Sequence, residues 1–330
     1  MLTLASFLAE KHDVEIFWGD SAIKAPLTRF LKIDLQKTKF VENVFGQNFL
    51  KKIRRTASFD LIFVLSDGSV PFSLAKKNIL HFQVPFVFSK IDTKTKLNLT
   101  RYKYVVVNSY FTKKYIDRSF KIDSKVIYPP VDVNSLKSGK KENLIISVGR
   151  FSKAQLHPKK QEVLIEVFKE IYKSAPSWRL ILAGQSKKED YKYIKGLKKS
   201  AKGHAIRILE NISYDELRRL YGRASIYWHA TGFGEDEEKN PQKMEHFGIS
   251  TVEAQAAGAV PVVIEKGGQK EIVAHNKNGM FWSTKTQLFE ATMSLINNKS
   301  ELSRLSKKAV ADCKKFSQEN FIKEYEKIIF

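Results

Sequence analysis

Glu245-His-Phe-Gly-Ile-Ser-Thr-Val-Glu253, followed by Ala256-Ala-Gly-Ala-Val-Pro-Val-Val-Ile264, decides the fold. The second stretch is a helix end feeding an apolar run rich in β-branched residues, the pattern of a parallel strand buried on both faces. The first sets two carboxylates around a Phe-Gly turn and the start of that helix. A helix start beside strand ends is where α/β proteins hold phosphates, so the segment reads as a grip for a phosphorylated sugar. Ser250 and Glu253 also have capping-box spacing, in which Glu253 would satisfy backbone donors; Glu245 has no such role. Ahead of the segment lies a polar, glycine-containing loop, His229-Ala-Thr-Gly-Phe-Gly-Glu-Asp-Glu-Glu238.

Working outward, strand patterns recur at 14–18, 60–65, 104–107, 144–148, 178–183, 205–209 and 225–228. Helical patterns stand between them, at about 160–174, 189–201 and 214–223. Such alternation predicts parallel sheets and an α/β fold. The paired prolines of Tyr128-Pro-Pro-Val-Asp132 and the polar, basic stretch after them mark a boundary. The expected domains are 1–137 and 138–317, with a helix at 318–330 expected to cross back to the first domain. The chain begins in a helical pattern, whereas a doubly wound sheet should open on a strand and a glycine-rich loop. The first strand of the N-terminal domain is therefore expected to be absent, as in an N-terminally truncated chain.

A chain of 330 residues, 43% hydrophobic, can bury a sizeable core. Its net charge of +22 implies anionic company: nucleotide, nucleic acid or an acidic membrane surface. Cys313 is the single cysteine, which excludes a disulfide or cysteine-based metal site within one chain and fits a reducing, cytoplasmic setting. No apolar run reaches the roughly 18 residues that read as a membrane span. The basic stretch Lys51-Lys-Ile-Arg-Arg55 suits peripheral association with an anionic membrane.

At the end of the strand Ser147-Val-Gly-Arg150, Gly149 would let a ligand come close and Arg150 offers a planar fork for phosphate oxygens. Lys159 and Lys160 add a basic pair at a helix entrance, and two cations with a helix N-terminus can hold a diphosphate without metal. His81, in His-Phe-Gln-Val-Pro85, is either a hydrogen-bonding group near a reacting sugar or a core histidine. The acids 235–238 read as solvated rather than metal-binding, so no metal and no cofactor are expected.

Taken in order, Ser147-Val-Gly-Arg-Phe151, Lys159-Lys-Gln-Glu-Val-Leu-Ile165, Leu182-Ala-Gly184, Glu245-His-Phe-Gly248 with Glu253, Ala257-Gly-Ala-Val-Pro-Val-Val263 and Gly267-Gly-Gln-Lys-Glu-Ile-Val273 resemble the glycosyltransferases of family 4. The resemblance covers most of the chain. It implies a GT-B architecture of two Rossmann-like domains facing a cleft and retaining transfer of a sugar from a nucleotide-diphosphate sugar to a glycan or lipid-linked hydroxyl. It also implies that Arg150 and Lys159, with Gly149 and Lys160, hold the donor diphosphate. Glu245, first of the E-x7-E pair, would contact the donor sugar as the catalytic-site carboxylate, with His81 as an acceptor-side histidine. Phe247, Gly248 and Ile249 would offer backbone amides, and Glu253 would hold the ribose. Where the family often has a Pro-Ser pair, this chain has Trp228-His-Ala-Thr-Gly-Phe-Gly234 and an acidic loop through Lys239, which leaves the sugar open. A same-fold phosphorylase, and a basic protein that binds nucleic acid or membrane without catalysis, are the alternatives; the scattered lysines and the lack of any RNA or DNA module weigh against nucleic acid.

Overall fold

The computed structural model describes residues 1–31 and 33–330, the side chains of 29–31 excepted. It divides into two compact units, Met1–Pro130 together with Gln318–Phe330, and Val131–Ser317. The boundary lies earlier than the 137/138 expected. Val131 bridges Ser317 and donates its N–H to Phe316 O at 3.0 Å, and Arg218 donates to the Ser135 carbonyl, so 131–137 is held by the second unit.

In the first unit β1 (Val14–Phe17) and β2 (Thr38–Val41) form a parallel pair. A four-stranded parallel sheet follows: β3 (Leu61–Ser66), β4 (Lys77–Phe82), β5 (Tyr104–Val107) and β6 (Lys125–Val126), in that spatial order. The helix Gln318–Ile329 sets Phe321, Tyr325, Ile328 and Ile329 against Leu4, Ile79, Val106 and Ile127. Lys77 Nζ fixes its end by donating to the Ile329 carbonyl at 2.5 Å.

The second unit carries a six-stranded parallel sheet of β7 (Glu142–Val148), β8 (Arg179–Gly184), β9 (Ile206–Glu210), β10 (Ala224–His229), β11 (Val260–Ile264) and β12 (Met280–Trp282). Its spatial order is β12-β11-β10-β7-β8-β9. The chain therefore runs outward from β7 in one direction and from β10 in the other. In an open parallel sheet the crevice beyond the carboxyl ends of two such strands is the binding position.

Every residue of β10 and β11 is buried, which is why both read as near-continuous apolar runs. Trp228 packs edge-on to Phe168 and satisfies its indole N–H on Thr292 Oγ1 at 3.1 Å. Among the described residues no helix is long and apolar enough to cross a membrane.

At the carboxyl ends of β7 and β8 the backbones nearly touch: a Cβ at Gly184 would stand 2.0 Å from Gly149 O. Gly184→Ala must push the two strand ends apart, at a cost of about 1–3 kcal/mol. A thermal melt is expected to show a lower Tm, and an unchanged Tm would refute this contact.

Candidate active site

The strand ends of β7 and β10 deliver Gly149 and His229 to one end of the second sheet. A helical turn, Pro241–Lys243, then leads into Glu245, and Gly248 (φ +125°) caps the helix Ile249–Ala256. That φ lies in the region that favours glycine, which lets the chain turn sharply from Glu245 into the helix. The next loop locks onto this turn. Gly267 (φ +60°) would place a Cβ 2.3 Å from Glu245 O, and the Gly268 N–H donates to that same carbonyl at 2.8 Å. Phe247 turns its ring onto Phe316 in the core, while Ile249 stands exposed at a helix start whose first amides lack partners within the helix.

Glu245 is the centre of the polar cluster. Its Oε2 accepts from Lys159 Nζ at 2.6 Å and from His229 Nε2 at 2.8 Å, with 14% of the side chain exposed. Burial pushes this carboxyl up, but the Lys159 ammonium, the His229 hydrogen bond and His157 outweigh it and hold the group well below the usual carboxylate range. The stem of Lys159 crosses Gly149 so closely that a Cβ there would lie 2.6 Å from its Cγ. The close approach at Gly149 is thus made by Lys159 of the chain itself.

Lys160 sits at φ +53° at the N-cap of the helix Gln161–Ser174. A non-glycine residue held there stores of order 1–3 kcal/mol, a sign of a site that over-determines its geometry. Its Nζ reaches Glu235 Oε1 at 3.1 Å, and Lys243 Nζ reaches Glu235 Oε2 at 2.9 Å. Glu237 accepts from the Gly267 N–H at 2.8 Å and from Lys270 Nζ at 3.0 Å. Glu235 and Glu237 are therefore tied down by lysines and a backbone amide, a correction to the solvated loop expected from its composition, while Asp236 and Glu238 are exposed as that reading has them. Arg150 is exposed at the end of β7.

The capping-box reading of Glu253 also fails, because Gly248 is the N-cap and Ser250 shares a hydrogen bond with the Tyr227 hydroxyl at 2.8 Å. Glu253 instead accepts from the Tyr221 and Tyr214 hydroxyls at 3.1 and 3.2 Å. Burial raises its carboxyl to about 7 against the pull of both tyrosines, with Asp132 adding to the rise. The rings of His157 and His246 lie 4.9 Å apart and tilted, and burial, with Lys159 beside it, lowers His157 to about 4.

His81 belongs to the first unit. It lies on β4, 2% exposed, with Nδ1 2.8 Å from the Tyr325 hydroxyl, and burial pushes it down to about 3. It is a neutral histidine packed in the core against Phe63. His229, in contrast, carries no role that its sequence context decides; it ends an apolar strand, as core histidines do, and no spacing ties it to Glu245.

Residues 130–312 match the family model described as glycosyl transferases group 1. The chain belongs to that family. It is 28% identical over 248 residues to the GDP-Man:Man(3)GlcNAc(2)-PP-Dol alpha-1,2-mannosyltransferase of Dictyostelium discoideum, covering 69% of this chain and 47% of the relative. The Homo sapiens protein of the same description is 26% identical over 297 residues, covering 81% and 57%. This group 1 glycosyltransferase thus spans about half the length of the curated relatives it matches. Among solved structures, Anabaena Alr3699/HepE with UDP superimposes with a TM-score of 0.77 at 16% identity, over 99% of this chain and 95% of that one. A glycosyltransferase from Rickettsia africae gives 0.77 at 16%, over 99% and 92%. The fold is the GT-B fold of these enzymes.

Because the Glu253 carboxyl is raised on folding, the stability it confers is complete below its ordinary value of 4.5 and is lost as pH rises through about 7. Glu253→Gln is expected to remove that loss, so its Tm relative to the parent protein should climb between pH 5 and pH 8. A pH-independent difference would overturn the assignment.

Proposed function

We propose that this protein transfers a hexose, mannose in the first instance, from a GDP-sugar to a hydroxyl of a lipid-linked glycan, with retention at the anomeric carbon. The observation that carries the reading is Glu245: an ionised carboxylate pinned by Lys159 and His229, directly before a helix start and beyond the switch-point strands. A carboxylate so held accepts hydrogen bonds from sugar hydroxyls, while Arg150, Lys159 and Lys160 neutralise the departing diphosphate. Stabilising that leaving group and orienting the acceptor hydroxyl carry the chemistry, and no side-chain nucleophile is required. The amides at Phe247, Gly248 and Ile249 meet sugar and phosphate, and Glu253 takes the ribose hydroxyls. GDP-mannose is favoured because the matched relatives are described as acting from GDP-Man onto a dolichol-linked glycan; the Anabaena structures, which hold UDP, make UDP-glucose the comparison donor.

The acceptor's lipid places the enzyme at the cytoplasmic face of a membrane. In the first unit the helix Phe49–Ala57 exposes Phe49 and Leu50 and carries Lys51, Lys52, Arg54 and Arg55 with no acidic residue. Apolar residues flanked by cations suit an anionic bilayer surface.

In a thermal-shift series, GDP-mannose is expected to raise Tm more than UDP-glucose does, since a ligand stabilises in proportion to its affinity for the folded state. A shift from UDP-glucose alone would reassign the donor, and stabilisation by inorganic phosphate with sugar 1-phosphate would favour the phosphorylase reading. Sedimentation with anionic vesicles is expected at low salt and should weaken at high salt; Phe49→Ser with Leu50→Ser should reduce it. Absence of binding at low salt would remove the membrane reading.

A further inference from the structure

We infer that His229 is the positioning residue that fixes which oxygen of Glu245 faces the ligand. The inference rests on the donor reading of this site. Both hydrogen-bond partners of the Glu245 carboxylate among the described residues, the Lys159 ammonium and the His229 Nε2, lie on the same oxygen, Oε2, at 2.6 and 2.8 Å. Oε1 takes no hydrogen bond among the described residues, and it is not one of the buried unpartnered atoms. It is the accessible oxygen of a side chain otherwise 14% exposed. A carboxylate with one oxygen saturated and one open cannot exchange the two by rotation without breaking both hydrogen bonds. The open oxygen is thus set in place before any ligand arrives.

The proton arrangement follows from the neighbours. Glu245 is ionised and can only accept, so the imidazole must carry its proton on Nε2. His229 is 3% exposed, and burial, only partly opposed by Glu245, holds it neutral. Nδ1 is then an unprotonated acceptor, and it is buried without a partner. Leaving that atom unsatisfied is unfavourable, and an apolar residue would avoid it; the Nε2–H···Oε2 contact is the interaction that gives a histidine an advantage at this position. The two anchors also differ in permanence. Lys159 is the group a donor diphosphate draws upon, whereas His229, locked in β10 beside buried Trp228 and Ala230, has no other side-chain partner among the described residues. When phosphate shares the ammonium, His229 still holds Oε2.

The test uses three variants of the full chain. Glutamine places an amide N–H at the depth of Nε2, asparagine places it short, and leucine removes it. Affinity for free GDP, read by thermal shift, is expected to stay unchanged in all three. kcat/KM with GDP-mannose is expected to fall by about tenfold or more in His229→Leu and His229→Asn, the worth of a hydrogen bond to a charged group, and to return to within a few-fold of the parent in His229→Gln. Equal loss in all three variants, or no loss in any, would overturn the inference. A parent protein that binds no GDP and transfers no mannose would sink the donor reading instead. For that case, 15N spectra of the histidine rings decide independently of activity: the neutral Nε2–H form is expected for His229, with its signals moving in Glu245→Gln, and an Nδ1–H form would overturn the assignment.

Discussion

Two donors on a single carboxylate oxygen organise the second unit of this protein. Lys159 comes from the entrance of a helix after β7, His229 from the end of β10, and Glu245 from the turn that begins the next helix. These segments are far apart in sequence and meet because β7 and β10 are neighbours at the point where the sheet reverses its winding. An ionised carboxylate this enclosed needs compensating charge and hydrogen bonds. The packing that brings the three segments together and the electrostatics that make the packing tolerable are thus the same contact.

Glycines make that contact possible. Gly149 leaves room for the Lys159 stem, Gly184 lets β8 end against Gly149, and Gly267 and Gly268 lie against the backbone of 245–247 at distances that no Cβ permits. Close backbone approach at the mouth of a parallel sheet is also what allows helix-start amides to face a ligand. The glycines of the site serve chain-to-chain approach first, and the ligand-facing geometry follows from it.

Much of this was legible in the sequence, for identifiable reasons. β10 and β11 announced themselves because strands buried on both faces are apolar throughout, and the Phe-Gly turn between two glutamates stood out because no core requirement explains Glu245. β4 does not show in the sequence: Lys77, Asn78 and His81 interrupt its apolar pattern, and the partners of Lys77 and His81, Ile329 and Tyr325, lie at the far end of the chain. The acidic loop was misread for a similar reason. Four consecutive acids look solvated until Lys160 and Lys243 are brought to Glu235 and Lys270 to Glu237. Ser250 and Glu253 had the spacing of a cap, but spacing does not say where the helix begins, and Gly248 begins it. His229 carried no local signal, since its role is defined entirely by a residue on another element.

The tied loop gives the site an unexpected electrical character. The protein as a whole is strongly cationic, at +22, yet Lys159, Lys160 and Lys270 each rest on a carboxylate of the chain, so much of the positive charge around the helix starts is already paired. Such ground behaves like an ion exchanger. A stray anion, with one charge and few contacts, gains little by displacing a glutamate that is already tethered in place. A ligand bearing two linked phosphates and a sugar can displace several tethers at once and replace each with a contact of its own. On the proposed donor reading, the lysine–glutamate pairing would favour a large, multiply charged donor over the small anions that a basic surface gathers.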